Sequence, residues 1–336
     1  MALAACDLRT ISFSQLFPVN VAWALAGHLT LAIAYIHSRG YAHGGIYRPR
    51  SSLFQQKPLK ILTQACFARL DIHLGNVLAR LPSPVNTLSI KELYKQYGEP
   101  EPIRITRCDG KPLSHNVTSL AVTPLSLAQG KRADEFLLHD SNVLLSDFGE
   151  AYCPKLESRL GKDCHTPLGS RPPESRFEPD APLLWSADIW SLAVTIWEIL
   201  GMKALFSNEF PSIDEVAAQQ VDVLGPMPSE WWNSWDEKSQ FFDVNGHALR
   251  RREAWPPLDV AFEEFIQKSR RKRPKVGMFS DNEREAILDL MRRMLTFKPG
   301  ARPTADDVLK SEWMTKWVLP DVERSRNGTQ AGVDVL

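Results

Sequence analysis

Asp71 and Asn76 stand five positions apart in Asp71-Ile72-His73-Leu74-Gly75-Asn76, and Val77-Leu78 follow. Asp147 opens Asp147-Phe148-Gly149 directly after a short apolar run, 142–146, that reads as a strand. Side chains bearing carboxylate or amide oxygens are the ones that move protons and hold hard cations. The plain alternative for Asp71 is a surface carboxylate; its spacing to Asn76 and its place ahead of Asp147 argue against that. Other candidates are thinner. Cys164-His165 suggests a metal by adjacency alone, with no further ligands nearby. His28 and His37 lie in a helical run and read as satisfied helix residues. The chain has five Cys and no Cys-x-x-Cys pair or signal peptide, which points to a reduced compartment.

Three more signatures follow in order: Arg171-Pro172-Pro173-Glu174, then Ser186-Ala187-Asp188-Ile189-Trp190-Ser191-Leu192, then Gly300-Ala301-Arg302-Pro303-Thr304. The elements that must position them are mostly helices. Val21, Ala22, Leu25, Ala26, Leu29, Ala32, Ile33 and Ile36 recur at helical spacing after Pro18, with Gly40 as a stop. This stretch is too short and too polar for a comfortable membrane span, so a buried helix is the reading. Ser186 can cap a helix that buries Ile189, Trp190, Ala193, Val194 and Trp197 and ends at Gly201. Ser280-Asp281-Asn282-Glu283 is a capping box opening a helix with Ile287, Leu290, Met291 and Met294 on one face. Thr304 with Asp307 opens a last short helix. Residues 82–135, rich in Pro and polar side chains, read as a long insertion. Residues 1–18 and 321–336 read as tails.

The 336 residues carry 40 basic and 40 acidic side chains, which removes whole-protein attraction to nucleic acid or acidic membranes. At 43% apolar and 24% charged, the chain can bury a large core, and its length suggests about two domains.

The ordered set of motifs resembles the C-terminal lobe of a eukaryotic protein kinase over 19–320. In finer detail it is similar to the SR-protein-kinase-like group of serine/threonine kinases, the fungal members especially. They share the His-Gly-Asp catalytic loop, the Asp-Phe-Gly-Glu-Ala run and a long segment before the last helices, which here holds Trp231, Trp232, Trp235 and Trp255. The fold implied is mainly α with a few short strands, an incomplete kinase fold.

The resemblance also implies roles. Asp71 matches the catalytic Asp that orients the substrate hydroxyl and accepts its proton. Asn76 and Asp147 match the residues that hold Mg²⁺ against the phosphates of ATP. His73 stands where many such kinases carry a Lys contacting the γ-phosphate, and lacks its fixed charge. His43, Phe148 and Gly149 fall at structural positions of the catalytic loop and the Asp-Phe-Gly turn. Glu174 and Arg302 match the ion pair that ties the activation segment to the last helices, and Asp188 the carboxylate that holds the catalytic-loop backbone. Thr166 is a candidate for the threonine marking serine/threonine specificity, although it sits one residue farther from Glu174 than in many kinases. The expected substrate is a protein, with an Arg-Ser-rich segment as the finer guess. Neither nucleic acid nor membrane is expected as a partner, and the compartment is cytoplasm, nucleus or both.

Three departures qualify the resemblance. No Gly-rich loop or Val-Ala-Ile-Lys lysine precedes His43, so the expectation is that the N-terminal lobe is missing and that ATP binds weakly or not at all. Removing 45–70 would join His43-Gly44 directly to Asp71 and restore the family spacing; translated intron and surface insertion are both open readings. Gly44 stands where many kinases have the Arg that pairs with an activation-loop phosphate, so phosphorylation there is not expected to be the main switch. The rival to an active kinase is a pseudokinase-like or truncated fragment acting as a binding scaffold. The run Arg270-Arg271-Lys272-Arg273-Pro274-Lys275 reads as an import or acidic-partner patch, or as a solvated loop.

Overall fold

The computed structural model describes residues 4–12, 15–44, 72–80, 88–122, 131–201, 203–207 and 211–330. In chain order, β1 (Ala4–Asp7) and α1 (Leu8–Ser12) precede the long α2 (Val19–Ser38). Next come β2 (Val77–Arg80), α3 (Ile90–Tyr97), a hairpin of β3 (Pro102–Arg104) and β4 (Leu120–Val122), and β5 (Val143–Leu145). The remainder is helical: α4 (Glu174–Phe177), α5 (Trp185–Leu200), α6 (Ile213–Leu224) and α7 (Ser229–Ser234). Then α8 (Leu258–Ala261) runs through a π-helical stretch into α9 (Lys268–Arg271), followed by α10 (Asp281–Met294), α11 (Ala305–Leu309) and α12 (Leu319–Gln330).

Helix α5 is the centre of the core. It is apolar on nearly every face, which is stable only when a helix is surrounded, and Trp190 and Trp197 are fully buried. Helix α2 packs against it and against α11 and α12. By length and composition α2 could cross a membrane, but most of it is buried inside the protein. Its Val21, Leu25, Leu29 and Ile33 have no exposed surface. It ends at Ser38, with Gly40 at φ +84 turning the chain toward His43.

One three-stranded antiparallel sheet, ordered β1-β2-β5, lies beside this core. Val77 pairs with Leu145 and Ala79 with Val143, so the residues just outside the ladder, Asn76 and Ser146, become neighbours. Both chain ends differ from the tails expected. β1 pairs with β2, and Leu8, Leu16 and Phe17 are buried. Four- and five-residue elements are too short to show a period, so they were invisible in the pattern. At the other end, α12 buries Asp321, Val322 and Ser325 against α2 and 138–141. The insertion expected over 82–135 also closes earlier, because Ala133 is fully buried in the core. Its residues 82–87 and 123–130, like 45–70, lie outside the described residues.

The tryptophans before the last helices form a second core. Trp231 and Trp235 are buried with Phe177, Phe242 and Phe297, and Phe177 stacks on Trp231 at 5.4 Å. Their indole N–H groups donate to Glu178 (2.9 Å) and Asp214 (2.7 Å), the partners that buried Trp requires. The basic run gives up only its first arginine to the core. Arg270 is fully buried, donating from Nε to the Leu200 carbonyl (3.0 Å) and from Nη1 to that of Phe17 (3.2 Å), and burial lowers its pKa to about 9. Arg271 pairs with Glu263 at 2.6 Å.

Helix α2 carries a pH-sensitive contact. His28 Nδ1 lies 3.0 Å from the Ser141 carbonyl, and since a carbonyl only accepts, Nδ1 carries the proton of the neutral ring. Burial, and next the charge of Arg326, push the His28 pKa below 6.5. The unfolded chain therefore binds this proton more readily, and stability falls as pH drops through 6.5 toward the folded value. Glu283 and Asp321 pull the other way, because burial raises their pKa values. Replacing His28 with Gln is expected to remove the His28 share of acid sensitivity between about pH 7 and pH 5. Denaturant midpoints for both proteins across that range check it; parallel curves would refute the assignment.

Candidate active site

The polar face of α5 organises everything around the site. Asp188 is buried and accepts three hydrogen bonds. His37 Nε2 (2.9 Å) and the His43 backbone N–H (2.8 Å) donate to Oδ2, and the Gly44 N–H (3.3 Å) donates to Oδ1. One turn on, Ser191 donates to the Ser170 carbonyl at 3.1 Å. A further turn on, Thr195 donates to the Ile72 carbonyl at 2.9 Å. One helix thereby fixes the backbone on both sides of 45–71 and the turn ahead of Glu174. Asp71 itself lies outside the described residues.

His73 is buried and caps the short turn Leu74–Asn76, its Nδ1 accepting from the Gly75 N–H at 2.9 Å. That leaves Nε2 as the nitrogen that carries the proton. A Cβ on residue 75 would stand 2.7 Å from His73 Cε1, so the capped turn requires glycine. Asn76 is buried, and its carbonyl accepts from both the backbone N–H and the hydroxyl of Ser146, each at 2.9 Å.

Asp147 follows at φ 68, ψ 57, the one described non-glycine residue with positive φ. Such a conformation is held only where the surroundings enforce it, and it concentrates at functional sites. Here His43 supplies part of the enforcement. Its Nε2 donates to the Ser146 carbonyl at 3.1 Å, and its ring lies 5.0 Å from that of Phe148. Phe148 nevertheless remains 47% exposed. The side chains of Asn76 and Asp147 thus leave neighbouring strand ends, one amide and one carboxylate. That pair of hard oxygen donors fits Mg²⁺, which takes one or two protein oxygens and completes its shell with phosphate and water.

The segment from Tyr152 to Glu174 is held by main-chain contacts. Ala42 and Tyr152 exchange backbone hydrogen bonds of 2.8 and 3.1 Å. Gly161 N–H donates to Ala181 (3.0 Å), Lys162 N–H to Pro179 (2.8 Å) and Leu183 N–H to Arg159 (2.6 Å). A Cβ at Gly161 would meet the Glu178 carbonyl oxygen at 2.8 Å, so this close approach depends on glycine. Thr166 is buried, and its carbonyl accepts from Arg171 Nε at 2.7 Å. Cys164 is buried beside it, while His165 turns outward with Nδ1 against the Asp163 carbonyl at 2.7 Å. At the end of the segment Glu174 meets Arg302 through two parallel bonds, 2.7 and 2.6 Å, out of solvent.

His37, Ser191 and Thr195 were not singled out by sequence as parts of the site. The available signal was polar side chains at 188, 191 and 195 on one face of an otherwise apolar helix, since buried polar groups must find partners.

The chain thus combines a helix-rich body, a capped turn, a left-handed Asp-Phe-Gly aspartate and a buried Glu–Arg pair. The protein kinase domain family matches residues 132–314, more than half of the chain, and the chain belongs to that family. The matched span contains Asp147, Glu174, Asp188 and Arg302 and begins beyond Asn76. Serine/threonine-protein kinase AFC3 of Arabidopsis thaliana is 24% identical over 217 residues, covering 62% of this chain and 50% of that protein. The chain therefore spans about half the length of the curated relative it matches.

Proposed function

We propose that the chain is the C-terminal lobe of a serine/threonine protein kinase of the SR-protein-kinase-like group, with Arg-Ser-rich protein segments as its substrate class. The observation that supports this most is the left-handed Asp147 held beside Asn76 at paired strand ends. In this reading Asp71 orients the substrate hydroxyl and accepts its proton as the new O–P bond forms and the bond to ADP breaks. Asn76 and Asp147 present their oxygens to the metal. Bound Mg²⁺ supplies neutralisation of the phosphate charge. His73 stands where many such kinases carry a Lys contacting the γ-phosphate, and its Nδ1 cap sets the ring direction.

The test is thermal melting of the full chain with Mg²⁺ and ATP. A ligand held at about 100 times its Kd stabilises by about 2.7 kcal/mol. A rise in Tm that disappears in Asp147→Asn, together with labelled phosphate transferred to an Arg-Ser peptide, is the expected result. The second reading, a binding scaffold, is favoured by the exposed Phe148 ring at the mouth of the site. No shift at saturating ATP would favour it.

This reading extends to regulation. Of the Ser and Thr residues between 150 and 170, Thr166 and Ser170 are buried and only Ser158 is exposed. The segment is held by backbone hydrogen bonds. Ser158→Glu and Ser158→Ala are expected to leave the rate of a full-length form unchanged. A large change in either would restore phosphorylation as the switch.

A further inference from the structure

The insertion between β2 and β5 carries a folded unit that buries nothing of itself. Helix α3 is closed by a Ser89–Glu92 capping box, yet it has no buried residue. Every residue of strands β3 and β4 is exposed. Ile90, Ile103, Leu120 and Val122 are each more than half exposed, an apolar outlay that a solvated loop does not need.

An open cleft of about 510 Å³ runs along the hairpin, within the size range of ligand clefts. Its walls alternate in character. Ile105, Leu113 and Leu120 supply apolar surface, and Arg104, Arg107 and Lys111 supply positive charge. Asp109, beside it, is engaged by Arg107 at 2.8 and 2.7 Å and by the Lys111 backbone N–H at 3.2 Å. The Arg107 hydrogen bond, first among its contacts, lowers the Asp109 pKa to about 2, so it stays ionised and occupied. No ion pair joins Arg104 or Lys111 to a carboxylate among the described residues. The cleft is thus net positive, lined with apolar side chains, and flanked by a two-stranded sheet that pairs with no other strand among the described residues.

We infer that this hairpin is a docking site for an extended, acidic protein segment that lies along the sheet edge and seats carboxylates on Arg104 and Lys111. An exposed strand edge gives main-chain hydrogen bonds, and alternate side chains then face the cleft. Complementary charge supplies selection between partners.

The experiment uses the full chain and two labelled peptides, one alternating glutamate with valine and one alternating lysine with valine, read by fluorescence anisotropy. The acidic peptide is expected to bind, more weakly as salt rises, and the basic one not to bind. The double variant Arg104→Glu, Lys111→Glu is expected to weaken the acidic peptide by at least about tenfold, and Leu120→Asp to weaken it also. Both variants keep the parent melting temperature, because the unit buries nothing. Equal binding of the two peptides, or unchanged affinity in the charge-reversed variant, overturns the proposal. So does a self-associating chain whose dimer is lost in Leu120→Asp, since a second copy would then be the occupant.

Discussion

Replacing Arg302 with methionine is expected to lower stability by about 3–5 kcal/mol, because it strands the Glu174 carboxylate in a site without water. The Arg302 side chain has no exposed surface and all five of its N–H groups are used. Two bond Glu174; the others reach the carbonyls of Thr296 (2.8 Å), Phe297 (2.9 Å) and Ser186 (3.0 Å). The guanidinium also lies 5.0 Å from the Trp190 ring. Lysine cannot reproduce a planar five-donor fork, so Arg302→Lys is expected to fall nearer to the methionine variant than to the parent. At roughly 2 °C per kcal/mol for a chain of this size, Tm drops by about 6–10 °C. The double variant Glu174→Gln, Arg302→Met should lose less than the sum of the two single changes, because neither leaves the other charge unpaired. Since Glu174 ends the activation segment, amide exchange at Gly161 and Lys162 should quicken too. A lysine variant within about 1 kcal/mol of the parent would show that the fork is not what holds the segment.

Asp188→Ala is the second large effect. It removes one acceptor from three donors at once: the His37 ring, the His43 amide and the Gly44 amide. A buried donor left unpaired costs about 1–3 kcal/mol, so three together cost roughly 3–9 kcal/mol. Asp188→Asn keeps one oxygen and is expected to cost less. It can serve the Oδ2 pair, where two donors converge, and then sets its own NH₂ against Gly44. Hydrogen exchange gives the local readout: the 43 and 44 amides should exchange far faster in the alanine variant. Unchanged exchange at both would mean that the chain near His43 is fixed by its contacts with Tyr152 and Ser146 alone.

The parts of the site that sequence discloses are those whose spacing is set by one local turn. Asp147-Phe148-Gly149 after an apolar strand, and Glu174 behind a Pro-Pro pair, are of that kind. What sequence does not disclose is which faces meet. That His37 on α2 reaches Asp188 on α5, across 151 positions, depends on how two nearly all-apolar helices rotate against each other. Their periodicity carries little orientation because apolar side chains occupy nearly every side. The short β1 and α1 failed to register for the opposite reason, having too few residues to repeat any pattern. Helix α12 was hidden by its charged outer face, with Val318, Leu319 and Val322 as the few aliphatic residues where it begins. The tryptophans from 231 to 235 were legible as a buried set, since large aromatics so close together must share a core.

Helix α2 has a consequence for how the protein is made. Its surroundings come from the far end of the chain: Trp23 donates to Glu283 at 2.6 Å across 260 positions, and His28 lies beside Ser325 across 297. At a synthesis rate of about 5–20 residues per second, α2 emerges tens of seconds before α12 exists to cover it. During that interval a stretch as greasy as a membrane anchor is presented from the ribosome, so the nascent chain is a natural client for holding chaperones. Production without them should yield aggregates in which α2 is the sticky element.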